Sequence, residues 1–140
     1  MAKYIYLPHT ADAKFQAFGK SLEEAFANAA YAMTDVITDH KKIAAIKKKR
    51  IHVTSEDEKA LLYDFLEKFL VLLDTERFLL AKVINITIKQ KKKFSLVAEI
   101  AGDNHPQYYD IKTTIKAVTY QEMEIKQEKA KVTVQVVVDI

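Results

Sequence analysis

Two acidic positions carry most of the chemistry open to this chain. Asp12 stands in the run His9-Thr10-Ala11-Asp12, and Asp139 in the ending Val136-Val137-Val138-Asp139-Ile140. An acid one residue before the last puts the Asp139 carboxylate beside the α-carboxylate of Ile140. Like charges that close repel unless a cation or a cluster of donors compensates them. Termini commonly fray, yet this one is a valine-rich run patterned as a buried strand. Were the fold to bring Asp12 alongside, three carboxylates would meet, all hard oxygen donors suited to Ca²⁺ or Mg²⁺ rather than zinc. The plainer reading, favoured on the residues alone, has Asp12 capping a loop and the last residues standing in solvent.

Two further residues could serve such a site. His9, three residues before Asp12, could orient a metal-bound carboxylate from behind or hydrogen-bond the loop backbone; the spacing does not choose. Lys116, in Ile115-Lys116-Ala117-Val118-Thr119-Tyr120, has apolar flanks that permit a partly buried lysine. Such a lysine would pair with carboxylates or contact a phosphate or a partner's acid. A solvent-facing lysine on a strand's polar side is the commoner arrangement. Other chemistries lack a signature. There is no cysteine, so disulfides, thiolate zinc sites and cysteine nucleophiles are excluded. Two glycines leave little room for a phosphate-cradling loop, and no His-Glu-x-x-His run occurs. No spacing supports a Ser-His-Asp arrangement, and His40, His52 and His105 read as structural or surface histidines.

The elements that must position these residues follow from periodicity. Tyr4 to Leu7 reads as a short strand ended by Pro8, and residues 13–18 alternate as a half-buried strand closed by Gly19. Ser21 and Glu24 have the capping-box spacing. Leu22, Ala25, Phe26, Ala29, Met33 and Ile37 then form one helical stripe running to about Thr38. Residues 47–54 combine lysines with β-branched residues, as in an edge strand whose charges discourage aggregation. A second capping box, Ser55 with Glu58, opens a longer helix bearing Leu61, Leu62, Phe65, Leu66, Phe69, Leu70 and Leu73. From residue 79 the period becomes two. Leu80, Ile84, Ile86 and Ile88 on one arm and Phe94, Leu96, Ala98 and Ile100 on the other predict a hairpin turning at Lys91-Lys92-Lys93. A polar loop at residues 102–106 follows, then strands at 111–120, 123–126 and 131–139. The expected fold is α+β: a single domain over 1–140, with two amphipathic helices packed on a largely antiparallel β-sheet.

Composition bounds the rest. The chain has 140 residues, 49% hydrophobic and 29% charged, with a formal net charge of +3, so it is long enough for a true core and does not demand a nucleic-acid partner. The opening residues lack a secretory pattern and no run reaches the roughly 18 apolar residues of a membrane span. A cytoplasmic protein is expected.

Taken in order, His9-Thr-Ala-Asp12, Ser21-Leu-Glu-Glu-Ala-Phe26, Leu61-Leu-Tyr-Asp-Phe-Leu66, Lys116-Ala-Val-Thr-Tyr120 with Met123-Glu-Ile125, and terminal Val138-Asp139-Ile140 resemble the archease family over the whole chain. The resemblance implies a cytosolic accessory protein, not an enzyme, that promotes guanylylation of the tRNA-splicing RNA ligase and its multiple turnover. It implies a divalent cation, Ca²⁺ before Mg²⁺ or Mn²⁺, held by Asp12, Asp139 and the terminal Ile140, with Lys116 as the motif lysine. The partner would be the ligase's catalytic subunit, with nucleic acid met only through it. Many family members have histidine where this chain has Gln121, so a role for an imidazole there is not carried over. Two other readings stand beside this one: a chaperone-like modulator of RNA-processing enzymes that does not use the metal, and an RNA-binding module using Lys47 to Arg50 and Lys91 to Lys93.

Overall fold

The computed structural model describes residues 2–140. Seven strands and two helices follow in the order β1 (Tyr4–Leu7), β2 (Asp12–Gly19), α1 (Leu22–Ile37), β3 (Lys47–Ser55), α2 (Glu58–Glu76), β4 (Leu79–Gln90), β5 (Phe94–Asp103), β6 (Ala117–Glu128) and β7 (Lys131–Asp139). The strands form two antiparallel sheets, β1-β2-β7-β6 and β3-β5-β4. Each helix touches both sheets, α1 against β2, β7 and β4 and α2 against β6 and β3. The expected α+β architecture is therefore present, with its sheet divided in two.

The core is built from the apolar faces that periodicity marks. Ala25, Phe26, Ala29 and Met33 of α1 and Leu61, Leu62, Phe65 and Leu66 of α2 are buried, with the Phe26 and Phe65 rings stacked 6.1 Å apart. Val132, Val134, Val136 and Val138 of β7 join them from the first sheet, and Leu96, Ala98 and Ile100 of β5 from the second. Each of the larger side chains among them (Val, Leu, Ile, Phe, Met) contributes about 1.5–3 kcal/mol when fully buried. The Ser21 hydroxyl accepts from the Glu24 N–H at 3.1 Å and Glu24 returns to the Lys20 N–H, so the first helix start is capped nearly as expected.

Five local expectations are corrected. Ser55 does not cap α2. It ends β3 and donates to Asp64, while Asp57 caps the helix by accepting from Ala60 N–H at 2.8 Å; an aspartate is as good a cap as a serine and sits nearer the first turn. The strand expected from residue 111 begins only at Ala117. Residues 111–116 instead run as an irregular strap tied to the end of α1, where Lys112 N–H donates to Ile37 O at 2.7 Å and Thr38 Oγ1 to Asp110 O at 2.7 Å. The separate strand expected at 123–126 is the continuation of β6 beyond an irregularity in its pairing between Thr119 and Glu124. On β4, two register shifts flip the alternation, so Ile84 is exposed while Val83 turns inward. Finally, Gly102 and Asp103 belong to β5 and are buried rather than forming a polar loop. At Gly102 a Cβ would fall 2.0 Å from the Leu79 carbonyl oxygen, which explains a glycine in mid-sheet.

Candidate metal centre

β7 is the axis of the first sheet and remains paired to Asp139. On one side Asp12, the first residue of β2, is the register partner of Asp139. On the other, Ala117 is its partner, and the Lys116 N–H donates to Asp139 O at 2.7 Å. The antiparallel register thus brings the two expected acids opposite each other on one face, although 126 positions separate them in sequence order. Both are half-buried, as is Ile140, which follows at the same end and packs against the core. Lys116 lies immediately before β6 and is exposed, not partly buried as its apolar flanks allowed. It stands beside the acids through its backbone while its side chain faces solvent.

His9 lies in the β1–β2 connection, where Ala11 takes a positive φ of 65° to turn the chain into Asp12. Its Nδ1 is 3.6 Å from Asp12 Oδ2, and its Nε2 is 2.9 Å from Glu122 Oε2. Lys14 Nζ donates to the other oxygen of Glu122 at 3.1 Å. These hydrogen bonds, from His9 first and Lys14 second, hold the Glu122 carboxyl below the usual carboxylate range. Glu122 reaches this position because β6 bulges. Its φ is 52°, its carbonyl accepts from Gln135 Nε2 at 2.8 Å, and Gln135 is itself bonded to Gln16 at 2.9 Å. The same bulge buries Met123 and stacks Tyr120 on Tyr63 of α2, with ring centroids 4.5 Å apart. Gln121, where many family members carry histidine, is exposed on the bulge.

Sequence reasoning missed Glu122 and Lys14. They lie 113 and 5 positions from His9, and nothing in a lone acid before a methionine signals a bulge that folds it over a neighbouring strand. Missed as well was a group formed by Asp35, Asp39 and His40, close enough for a shared ion. Its donors are already engaged. Asp35 accepts from the Tyr4 hydroxyl on one oxygen and from His40 N–H and Nδ1 at 2.9 and 2.8 Å on the other, and Asp39 accepts from Lys41 N–H. This group ties β1 to the end of α1.

The residues at the sheet end suit a hard divalent cation. Like charges directly opposite on one face destabilise a strand pair, and His9 Nδ1 is a buried polar atom without a hydrogen-bond partner. Both are conditions that a bound cation remedies, and carboxylate oxygens are the donors such an ion prefers.

The model of the Archease protein family (MTH1598/TM1083) matches residues 4–140. The protein archease of Methanosarcina mazei is 38% identical over 140 residues, covering 99% of this chain and 96% of the relative. That of Methanothermobacter thermautotrophicus is 36% identical over 141 residues, covering 100% of both. The solution structure of Methanobacterium thermoautotrophicum protein 1598 matches with a TM-score of 0.86 at 34% identity, covering 100% of each chain. The crystal structure of an archease from Thermotoga maritima, described as a possible chaperone, matches with a TM-score of 0.59 at 19% identity over 96% of this chain and 94% of its own, a likeness of fold alone. With matching sequence, matching length and the same arrangement of strands and helices, the chain belongs to the archease family.

Proposed function

We propose that this protein activates a tRNA-splicing RNA ligase by promoting guanylylation of its catalytic subunit and multiple turnover, working through the acidic end of the first sheet. The observation that carries the reading is the pairing of Asp12 with Asp139, next to Ile140 and the exposed Lys116. Asp12, Asp139 and the carboxylate of Ile140 would hold a divalent cation, Ca²⁺ in the first place. Such an ion supplies neutralisation of phosphate oxygens, the main requirement of phosphoryl-type transfer. Lys116 offers a mobile point charge to a phosphate at the same end. The protein acts as a partner of the enzyme and performs no transfer itself.

The test is a guanylylation assay with the cognate ligase in catalytic amount, GTP and a divalent ion. The protein should raise the guanylylation rate and convert stalled ligation into repeated turnover. Asp12→Ala, Asp139→Ala and Lys116→Ala should each lose at least tenfold of that stimulation, with thermal midpoints within a few degrees of the parent, the scale of about 1 kcal/mol. Full stimulation by both aspartate variants would exclude the acidic-end mechanism.

The description of the Thermotoga relative as a possible chaperone supports a second reading, in which the protein holds RNA-processing enzymes without using the metal. A holdase surface is a contiguous apolar patch. The exposed large apolar residues, among them Ile5, Ile46, Val71, Ile84 and Ile111, lie on different elements, which favours the first reading.

A further inference from the structure

We propose that the stacked pair Tyr63–Tyr120, on the seam between α2 and β6, docks an arginine side chain of a partner protein. The outer face of Tyr120 takes the guanidinium plane, and Asp57, Asp64 and Glu67 take its charge. The two rings lie nearly parallel, 8° apart in plane with centroids at 4.5 Å. This site is separate from the acidic end. Asp139 follows the core residue Val138, so it and its partner Asp12 stand on the side of the first sheet away from the core. Tyr120 instead meets α2, on the helix-covered side. Its chemistry requires no metal.

The local structure displays the ring. Regular pairing of β6 with β7 is interrupted between Thr119 and Glu124, which releases Tyr120 from the ladder and lets it lie on Tyr63. Tyr63 is half-buried and packed against the core, so it backs the pair, while Tyr120 is 54% exposed. A large side chain displayed singly needs no explanation; the charges around this one do. Desolvation first, and then the negative charges of Asp64, Asp57 and Glu67, push the Tyr120 hydroxyl above its ordinary pKa. Among the described residues no lysine or arginine forms an ion pair with any of the three. The hydrogen bonds of Asp57 and Asp64 come from neutral donors, the Ala60 N–H at 2.8 Å and the Ser55 hydroxyl at 2.6 Å. Three uncompensated carboxylates beside an open aromatic face attract a cation and repel phosphate, which turns nucleic acid away from the stack. Arginine fits better than lysine. Its planar guanidinium is weakly hydrated and stacks flat on a ring while its N–H fork stays in plane for carboxylates; a compact, strongly hydrated ammonium does not do both.

The test is a proton NMR titration of the full chain with N-acetyl-arginine methylamide and, separately, with its lysine and citrulline counterparts. The Tyr63 and Tyr120 ring signals should shift saturably with the arginine probe, which should bind at least fivefold more tightly than the lysine probe. Citrulline, similar in shape and uncharged, should give no saturable shift. Tyr120→Ala should remove the arginine response. Tyr120→Phe should keep it within about twofold, because the ring and not the hydroxyl is the contact. Asp64→Asn combined with Glu67→Gln, which leaves an acceptor for Ser55, should weaken binding at least fivefold and flatten its dependence on salt. Asp12→Ala should leave it unchanged, which keeps this site distinct from the acidic end. The proposal is overturned if arginine binds no more tightly than citrulline, if the shifts centre on other residues, or if Tyr120→Ala responds like the parent. An oligouridylate that displaces the arginine probe from these rings would overturn it in favour of nucleic acid. Circular-dichroism melts of each variant, with Tyr120→Phe as the mildest, keep loss of docking separate from loss of fold.

Discussion

A single cross-strand pair, Asp12 with Asp139, explains why this sheet end should be electrostatically unsettled without a cation. Like charges directly opposite each other destabilise by about 0.2–1 kcal/mol, so removing one of them should help the metal-free protein. Asp139→Asn in the presence of a chelator should therefore raise the melting temperature by roughly 1–4 °C. Under saturating divalent ion the order should reverse. The parent gains about 2.7 kcal/mol at a ligand concentration one hundred times its Kd, and the variant, with a weaker site, gains less. Differential scanning calorimetry with and without the ion reads both effects. A variant that melts lower than the parent in both conditions would show Asp139 to be a structural acid.

At the scale of elements, the strap between β5 and β6 decides where β6 begins and hence where Lys116 stands. Its first anchor is Asp103, only 2% exposed at the end of β5. Asp103 accepts from the Tyr109 hydroxyl at 2.6 Å and from His105 Nδ1 at 2.8 Å, and Tyr109 in turn accepts from the Ala44 N–H. The hydrogen bond from Tyr109 is the main reason that the Asp103 carboxyl lies below its ordinary value, with burial opposing and His105 adding to the lowering. The depressed folded-state value fixes the sign of the pH dependence. The contribution is fully present above the unfolded carboxylate value of about 3.9 and is lost as pH falls through the lower folded value. Asp103→Asn should thus cost about 1.5–3 kcal/mol near neutrality, with the difference from the parent shrinking below about pH 4. Denaturant titrations at pH 7 and pH 3 check this; a penalty that is constant with pH would mean that shape, not charge, is what Asp103 supplies.

Across the whole molecule the acidic end and the lysine runs fall on different sheets. The acids and Lys116 occupy one end of the first sheet, whereas Lys47 to Arg50 line β3 and Lys91 to Lys93 the β4–β5 turn of the second. Lys49 is paired with Glu76, and Lys93 with Glu56 at 3.2 Å. β3 is an edge strand, where lysines discourage pairing with another chain. Replacing Lys47, Lys48 and Arg50 together with alanine should leave ligase stimulation within about twofold, since no mechanism proposed for the acidic end uses them, while turbidity on heating should rise. RNA titrated without ligase should bind no more tightly than the roughly 10⁻⁴–10⁻⁶ M of non-specific association. Loss of stimulation together with tight, salt-steep RNA binding by the parent would reassign the protein as an RNA-binding module. No helix among the described residues is long and apolar enough to cross a membrane.

The sequence by itself determined the elements whose period is regular. Both helices, the hairpin of residues 79–100 and the valine face of β7 are local patterns, legible because burial on one side imposes a fixed spacing on the chain. It also singled out Asp12 and Asp139 as unusual acids next to apolar strands, although the residues alone favoured a loop cap and a solvated end. Only the tertiary structure decided that the strands divide into two sheets, that Asp12 meets Asp139, and that a bulge in β6 carries Glu122 onto His9. The physical reason is that register and bulges are set by pairing between strands, whether distant as in β2–β7 or adjacent as in the β4–β5 and β6–β7 hairpins, and no local pattern encodes them. A one-residue shift exchanges the two faces of a strand without altering its composition. Ile84, expected inward and found exposed, and Glu122, unremarkable in the sequence and central in space, are two results of that same freedom.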